Sequence, residues 1–124
     1  GTDSKEKGPG LFIANGDGKA VASLAHYNGK SSHLFLATAD GASQTSLYSG
    51  SDSSGPGLQM TNAKGHNVAS LQHYNGEASV LILSSSEGKQ LVYAGLNKQT
   101  GGGKVSVQNP DGTLHAAMDV KPEK

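Results

Sequence analysis

The chain has 124 residues, no net charge and no cysteine, and its length fits a single domain without disulfides or thiolate metal sites. Every basic side chain is a lysine, and the lysines stand singly from Lys5 to Lys124 without the basic stripe of a nucleic-acid-binding surface. We therefore expect no nucleic-acid partner. Because no apolar run reaches the length of a membrane span, we also expect no membrane insertion.

A β-hairpin signal recurs five times along the chain. Each time an alternating apolar pair is followed, seven residues after its first member, by a glycine. The pairs begin at Leu11, Leu34, Leu58, Leu81 and Val105, and the glycines are Gly18, Gly41, Gly65, Gly88 and Gly112. A fixed period of 23 or 24 residues indicates a repeat architecture. Because no stretch keeps a helical apolar pattern, we predict an all-β fold of about ten short strands.

The repeat is nested and suggests how the chain is organised. Val-Ala-Ser-Leu at 21–24 returns at 68–71, and His-Tyr-Asn-Gly at 26–29 returns at 73–76, which gives a superrepeat of 47 residues. We expect residues 1–9 to be a flexible leader or linker, 10–120 the hairpin repeat domain, and 121–124 a tail. The half-finished third superrepeat and a start at Gly1 suggest a piece of a longer repetitive protein, and a natural C-terminus at Lys124 fits equally well. Because the same residues recur in each copy, the pattern argues against an enzyme.

One face of the predicted hairpins is aliphatic. Six residues after each turn glycine stand Leu24, Leu47, Leu71, Ala94 and Met118, and we expect their face to be buried. Few aromatic side chains are available to enlarge a core, and a lone meander would leave its edges open. We therefore predict an elongated β-meander, β-prism or β-helix, intertwined in a homotrimer. A closed single-chain barrel, a trefoil-like fold or a solenoid would remain if the chain were a stable monomer.

A short run carries a resemblance to known repeats. The segment from Asn15 to Leu24 reads Asn-x-Asp-Gly-Lys-x-Val-Ala-x-Leu. It resembles the degenerate N-x-D-G-K-x-V-A-x-L β-hairpin repeats of bacterial surface proteins and phage tail fibres. This pattern-level resemblance covers residues 10–120. It implies an extended, trimeric β-structured stalk or spike that is extracellular, at a cell surface or on a virion. It implies no active-site residues.

Two copies of a Tyr-Asn-Gly turn form a candidate ligand site. They are built on Tyr27 and Asn28, and on Tyr74 and Asn75. A tyrosine beside an amide side chain can stack on a sugar and hydrogen-bond it, and two weak sites would add avidity for a cell-surface glycan. Alternatively, the tyrosine caps the sheet edge and the asparagine serves the turn by tolerating positive φ.

The repeated histidines form a candidate metal site. His26 and His73 lie at equivalent positions, on the same strand face as Leu24 and Leu71. In a trimer each would form a ring of three imidazoles able to hold a divalent metal. Alternatively, each is an ordinary strand-end residue bonded to backbone or water. The remaining histidines share no repeat position, and we expect them at the surface; they are His33, His66 and His115.

These patterns favour a function without catalysis. The serine-rich stretches have no base at a suggestive spacing, and we identify no catalytic residue and expect no cofactor. The sequence predicts a structural or adhesive fibre or spike module of a longer surface or virion protein. The alternative is a carbohydrate-binding repeat lectin that uses the Tyr-Asn-Gly turns.

Overall fold

Ten antiparallel strands make up a computed structural model of the chain. It describes residues 7–27, 30–50, 55–74 and 78–120. The strands are β1 (Lys7–Ala14), β2 (Ala20–Tyr27), β3 (Ser31–Ala37), β4 (Gln44–Tyr48), β5 (Gly57–Thr61), β6 (Asn67–His73), β7 (Ser79–Ser84), β8 (Gln90–Leu96), β9 (Gly103–Gln108) and β10 (Leu114–Asp119). No helix occurs among these residues, so the predicted all-β fold of about ten strands is confirmed.

The strands form one open sheet. Their spatial order is their order in the chain, β1 to β10, and each strand contacts only the strands before and after it. β1 and β10 do not pair with each other, so the described strands do not close into a barrel. β1 begins at Lys7, within the segment 1–9 that the sequence assigned to a leader.

The turns are closed by asparagine and glycine. In two corresponding turns, Asn15 and Asn62 each accept hydrogen bonds from two backbone N–H groups of their own turn through Oδ1 at 3.0–3.1 Å. Gly18 adopts a φ of 78°, which side chains rarely tolerate. The same asparagines donate through Nδ2 to the next turn on that edge, to the carbonyls of Ala39 and Ser86, both at 2.7 Å. Side chains therefore link successive hairpins as well as closing each turn.

The sheet has almost no core of its own. Among the described side chains only Ala25 and Ser106 are buried, each at 4% exposure, and no large side chain is fully buried. Cross-strand pairs are the unit of sheet stabilisation, and here they act without a second layer. Many large apolar side chains of the described residues therefore remain exposed to solvent, such as Leu11 at 64% and Met118 at 68%.

Candidate functional site

Strand register gives the sheet one aliphatic face, defined here by three rows of side chains. In its central row, one residue from each of the ten strands lies opposite its neighbour. The central row runs Leu11, Leu24, Leu34, Leu47, Leu58, Leu71, Leu81, Ala94, Val105 and Met118. Because alternate residues of a strand share a face, the positions two residues away on either side belong to the same face.

A first flanking row lies on the side of the Asn15 and Asn62 turns. It also crosses all ten strands in register. This row runs Ile13, Ala22, Leu36, Thr45, Met60, Ala69, Leu83, Val92, Val107 and Ala116. Large and small side chains alternate along most of it, since the large ones fall on odd-numbered strands.

A second flanking row lies at the opposite strand ends, where we follow it from β2 to β10. It runs His26, Ser32, Ser49, Pro56, His73, Ser79, Leu96, Gly103 and Val120. Backbone hydrogen bonds extend the pairing into this row, for example from Ser49 N to the Ser32 carbonyl at 2.9 Å. The row is more polar than the other two, and it contains both predicted metal ligands.

The aliphatic face is the more exposed face of the sheet in the single chain. Leu34 and Leu36 on β3 are 41% and 49% exposed, whereas His33 and Phe35 of the opposite face are half-buried. Leu47 at the middle of the central row is 51% exposed. Since no described element packs on this face, the strand alternation correctly identified an apolar face but not its exposure in a single chain.

Charged side chains are excluded from this face. No aspartate, glutamate or lysine occupies any of its three rows. Charged side chains lie in the turns or on the opposite face, as at Lys104 and Asp119, and Lys64 and Glu87 of two neighbouring turns form an ion pair. The Lys64 ammonium lowers the pKa of the Glu87 carboxyl, with a smaller contribution from Ser86. The face therefore combines aliphatic composition, exposure and neutrality, which is the character of an interaction surface.

The opposite face, here called the tyrosine face, is partly covered by its own side chains. Tyr48 on β4 lies over Gly57 of β5, where an added Cβ would fall 2.5 Å from its hydroxyl. That hydroxyl donates a hydrogen bond to Gln72 Oε1, and Gln72 Nε2 donates to the Gly55 carbonyl at 2.9 Å. Burial, and more weakly Tyr74, raises the pKa of Tyr48. The Tyr48 side chain therefore covers the backbone of Gly57.

An aromatic cluster on the tyrosine face was not identified from the sequence. His33 lies between two tyrosines: its ring centroid is 5.0 Å from Tyr27, edge to face, and 5.8 Å from Tyr48, stacked. It was expected to be a surface residue, but it is half-buried. The contact depends on the register of three strands, so the only available signal was the pairing of β2, β3 and β4.

The two predicted ligand-binding turns do not form one site within a chain. Tyr27 ends β2 and Tyr74 follows β6, so four strand spacings, about 19 Å, separate them. Tyr27 joins the aromatic cluster, while Tyr74 is 43% exposed and lies beside Val80 and Tyr93. The two remaining predicted ligand residues, Asn28 and Asn75, lie outside the described residues.

The predicted metal ligands are also separated within one chain. His26 on β2 and His73 on β6 are about 19 Å apart by the same strand spacing. Each ring is hydrogen-bonded through Nδ1 to a serine on the next strand, Ser32 at 3.0 Å and Ser79 at 3.1 Å. No cluster of three or more His, Asp or Glu side chains that could hold a metal occurs in the described part of the chain. A metal site here would need imidazoles from several copies.

Comparison with known proteins does not assign the chain to a family. No protein-family model matches it, and a search of curated proteins finds no significant similarity. Among the described residues, no helix is long and apolar enough to cross a membrane. Functional inference therefore depends on the two faces of the sheet.

Proposed function

We propose that this chain is a non-enzymatic structural module, a self-associating wall of a fibre or spike in a longer surface or virion protein. The carrying observation is the aliphatic face, which is uncharged along its three rows and exposed in the single chain. Exposed apolar patches on soluble monomers rarely exceed about 300–600 Å². We therefore expect a face this extensive to be buried against a partner in the functional assembly.

The size of the face supports a stable assembly. Ten strands at about 4.8 Å spacing and three rows at about 6.7 Å spacing give a face of roughly 950 Å². Stable protein interfaces bury about 800 Å² on each partner. One face of this sheet therefore suffices for association without any contribution from its edges.

A homotrimer is the assembly that this proposal adopts. Three sheets with their aliphatic faces turned inward would form the walls of a triangular β-prism, with the central rows along its axis. Each strand is five to eight residues long and would span the width of one wall. The turn charges and the tyrosine faces would then point outward, and the prism would lengthen with every added hairpin. Such a shaft serves as a stalk or an adhesive spike.

Sedimentation equilibrium of the purified chain tests this proposal. A chain of 12.6 kDa gives an assembly of about 38 kDa as a trimer, from three times the monomer mass. We expect that mass, with loss of the assembly when Leu47 and Leu71 of the central row are replaced by lysine. A folded chain that stays at 12.6 kDa at the highest soluble concentration would contradict the proposal.

Carbohydrate binding is the second candidate function, and the placement of the tyrosines favours it. Tyr27, Tyr48, Tyr74 and Tyr93 are the four tyrosines of the chain and lie on or just after β2, β4, β6 and β8. Strands two apart are separated by about 9.6 Å, so the tyrosine-bearing strands recur at that interval, and Tyr27 and Tyr74 share the same strand end on the tyrosine face. Several aromatic side chains on one face suit stacking on a polysaccharide.

A glycan array distinguishes this second function from a purely structural one. Binding that disappears in a Tyr27→Ala/Tyr74→Ala variant would support the lectin. A Leu114→Ala variant, altered at an exposed residue of β10 far from both tyrosines, serves as the matched control and should keep the native binding. No binding to any glycan by the native assembly would leave the structural module alone.

A further inference from the structure

The outer positions of the aliphatic face are matched in size within individual strands. Where the first flanking row has a small side chain, the second has a large one: Ala22 with His26 on β2, and Ala69 with His73 on β6. Ala116 with Val120 on β10 follows the same order. Where the first is large, the second is small: Leu36 with Ser32, Met60 with Pro56, Leu83 with Ser79, and Val107 with Gly103. β4 has two small residues, Thr45 and Ser49, and β8 two larger ones, Val92 and Leu96.

Packing within one sheet does not require this matching. The central row carries leucine on seven consecutive strands, from Leu11 on β1 to Leu81 on β7. Leucines on neighbouring strands are therefore accommodated side by side on this face. The alanines at 22 and 69 lie between large neighbours in the same way, so the lateral spacing of the strands would accept leucine there as well. The size matching of the two flanking rows must therefore be explained by side chains that pack onto the aliphatic face from outside this sheet.

We propose that copies of this chain associate around an axis parallel to the direction in which the strands follow one another, with identical strands at the same level. The first flanking row of each copy then packs against the second flanking row of the next. Small meets large at seven of the nine levels from β2 to β10, because each strand carries both members of the pair. The surface is complementary to itself, which identifies its occupant as another copy of this chain.

The arrangement gives the repeated histidines a packing role. His26 of one copy lies against Ala22 of the next, and His73 against Ala69. The serine bonds to Nδ1 of each imidazole hold the rings in place on their own sheet. This inference rests on the self-association in the proposed function and adds to it the contact surface and the order of the copies.

A size-swap experiment tests the inference. Ala22→Leu/Ala69→Leu places large side chains on both sides of two levels, and overpacking should weaken association roughly ten- to hundredfold for each site. Adding His26→Ser/His73→Ser moves the large residue to the other row, as β3 and β7 already have it. We expect this quadruple variant to recover a dissociation constant near the native value, measured by sedimentation with circular dichroism as the check on folding.

A matched control uses the adjacent residues on the tyrosine face. Ser23→Leu/Ser70→Leu adds the same side chains to the same two strands, and we expect native association from it. If the overpacked variant does not fold, His26→Ser/His73→Ser alone, which makes both side chains smaller, should weaken association. Native association in every variant, or a quadruple variant that stays as weak as the overpacked one, would overturn the inference while leaving self-association intact. A monomeric native chain would instead contradict the proposed function itself.

Discussion

Leu47→Ala should weaken assembly and chain stability by similar amounts, because this side chain is half-covered by its own sheet. The substitution removes about three methylene equivalents, worth roughly 2.4 kcal/mol if fully buried. With Leu47 51% exposed in the single chain, about 1.2 kcal/mol of this belongs to the association of each copy, and the rest to folding. In a trimer the three copies together would lose about 3.6 kcal/mol, or several hundredfold in the association constant.

Sedimentation equilibrium gives the association term, and urea unfolding of the dissociated chain gives the folding term. Ile82→Ala is the matched control, since Ile82 is half-buried on the tyrosine face. It should lower the stability of the chain and leave the association constant unchanged. The reasoning would be refuted if Leu47→Ala destabilised the chain without weakening the assembly, or if Ile82→Ala weakened the assembly equally.

Three further predictions concern the single chain. Gly57→Ala should destabilise it by about 1–3 kcal/mol in urea unfolding, because the new Cβ would lie 2.5 Å from the Tyr48 hydroxyl; a neutral effect would mean that the tyrosine moves freely. Asn62→Ala removes the side-chain hydrogen bonds within its turn and to the next one, so we expect a loss of about 1–2 kcal/mol by the same measurement, and an unchanged midpoint would contradict this. The Thr113 hydroxyl and backbone lower the pKa of Asp111, so the stability from this carboxylate is present above its unfolded pKa of about 3.9 and is lost as pH falls through the lower folded value. Asp111→Asn should flatten the acid limb of unfolding below about pH 4, and an identical acid limb in both proteins would exclude this contribution.

The strands and turns could be predicted because their signals are local. Alternation marks the strands, and a glycine with positive φ lies in the turn of each predicted hairpin, as at Gly18 and Gly112. The apolar face could be predicted for the same reason, since Leu24 and Leu71 follow their turn glycines at a fixed distance. These inferences needed only the period of the strand and the chemistry of the turn.

The features that were missed depend on what lies beside a strand or above it. His33 gained its place between Tyr27 and Tyr48 through the register of β2, β3 and β4, which no single segment specifies. Likewise, the exposure of Leu47 reflects the absence of a second layer on the described sheet, and alternation cannot report whether such a layer exists. The size matching of the flanking rows became visible only when register assigned each position to a row.

Thiol labelling of two adjacent positions tests most directly whether copies of the chain cover the aliphatic face. The native chain has no cysteine, so Leu47→Cys and Ser46→Cys each introduce a single thiol, on opposite faces of β4. In the single chain position 47 is exposed and position 46 half-buried, so the thiol at 47 should react at least as fast. In the assembly at high concentration we expect the order to reverse, with position 47 strongly protected and position 46 unchanged. Equal reactivity of position 47 at low and high concentration would contradict a covered aliphatic face.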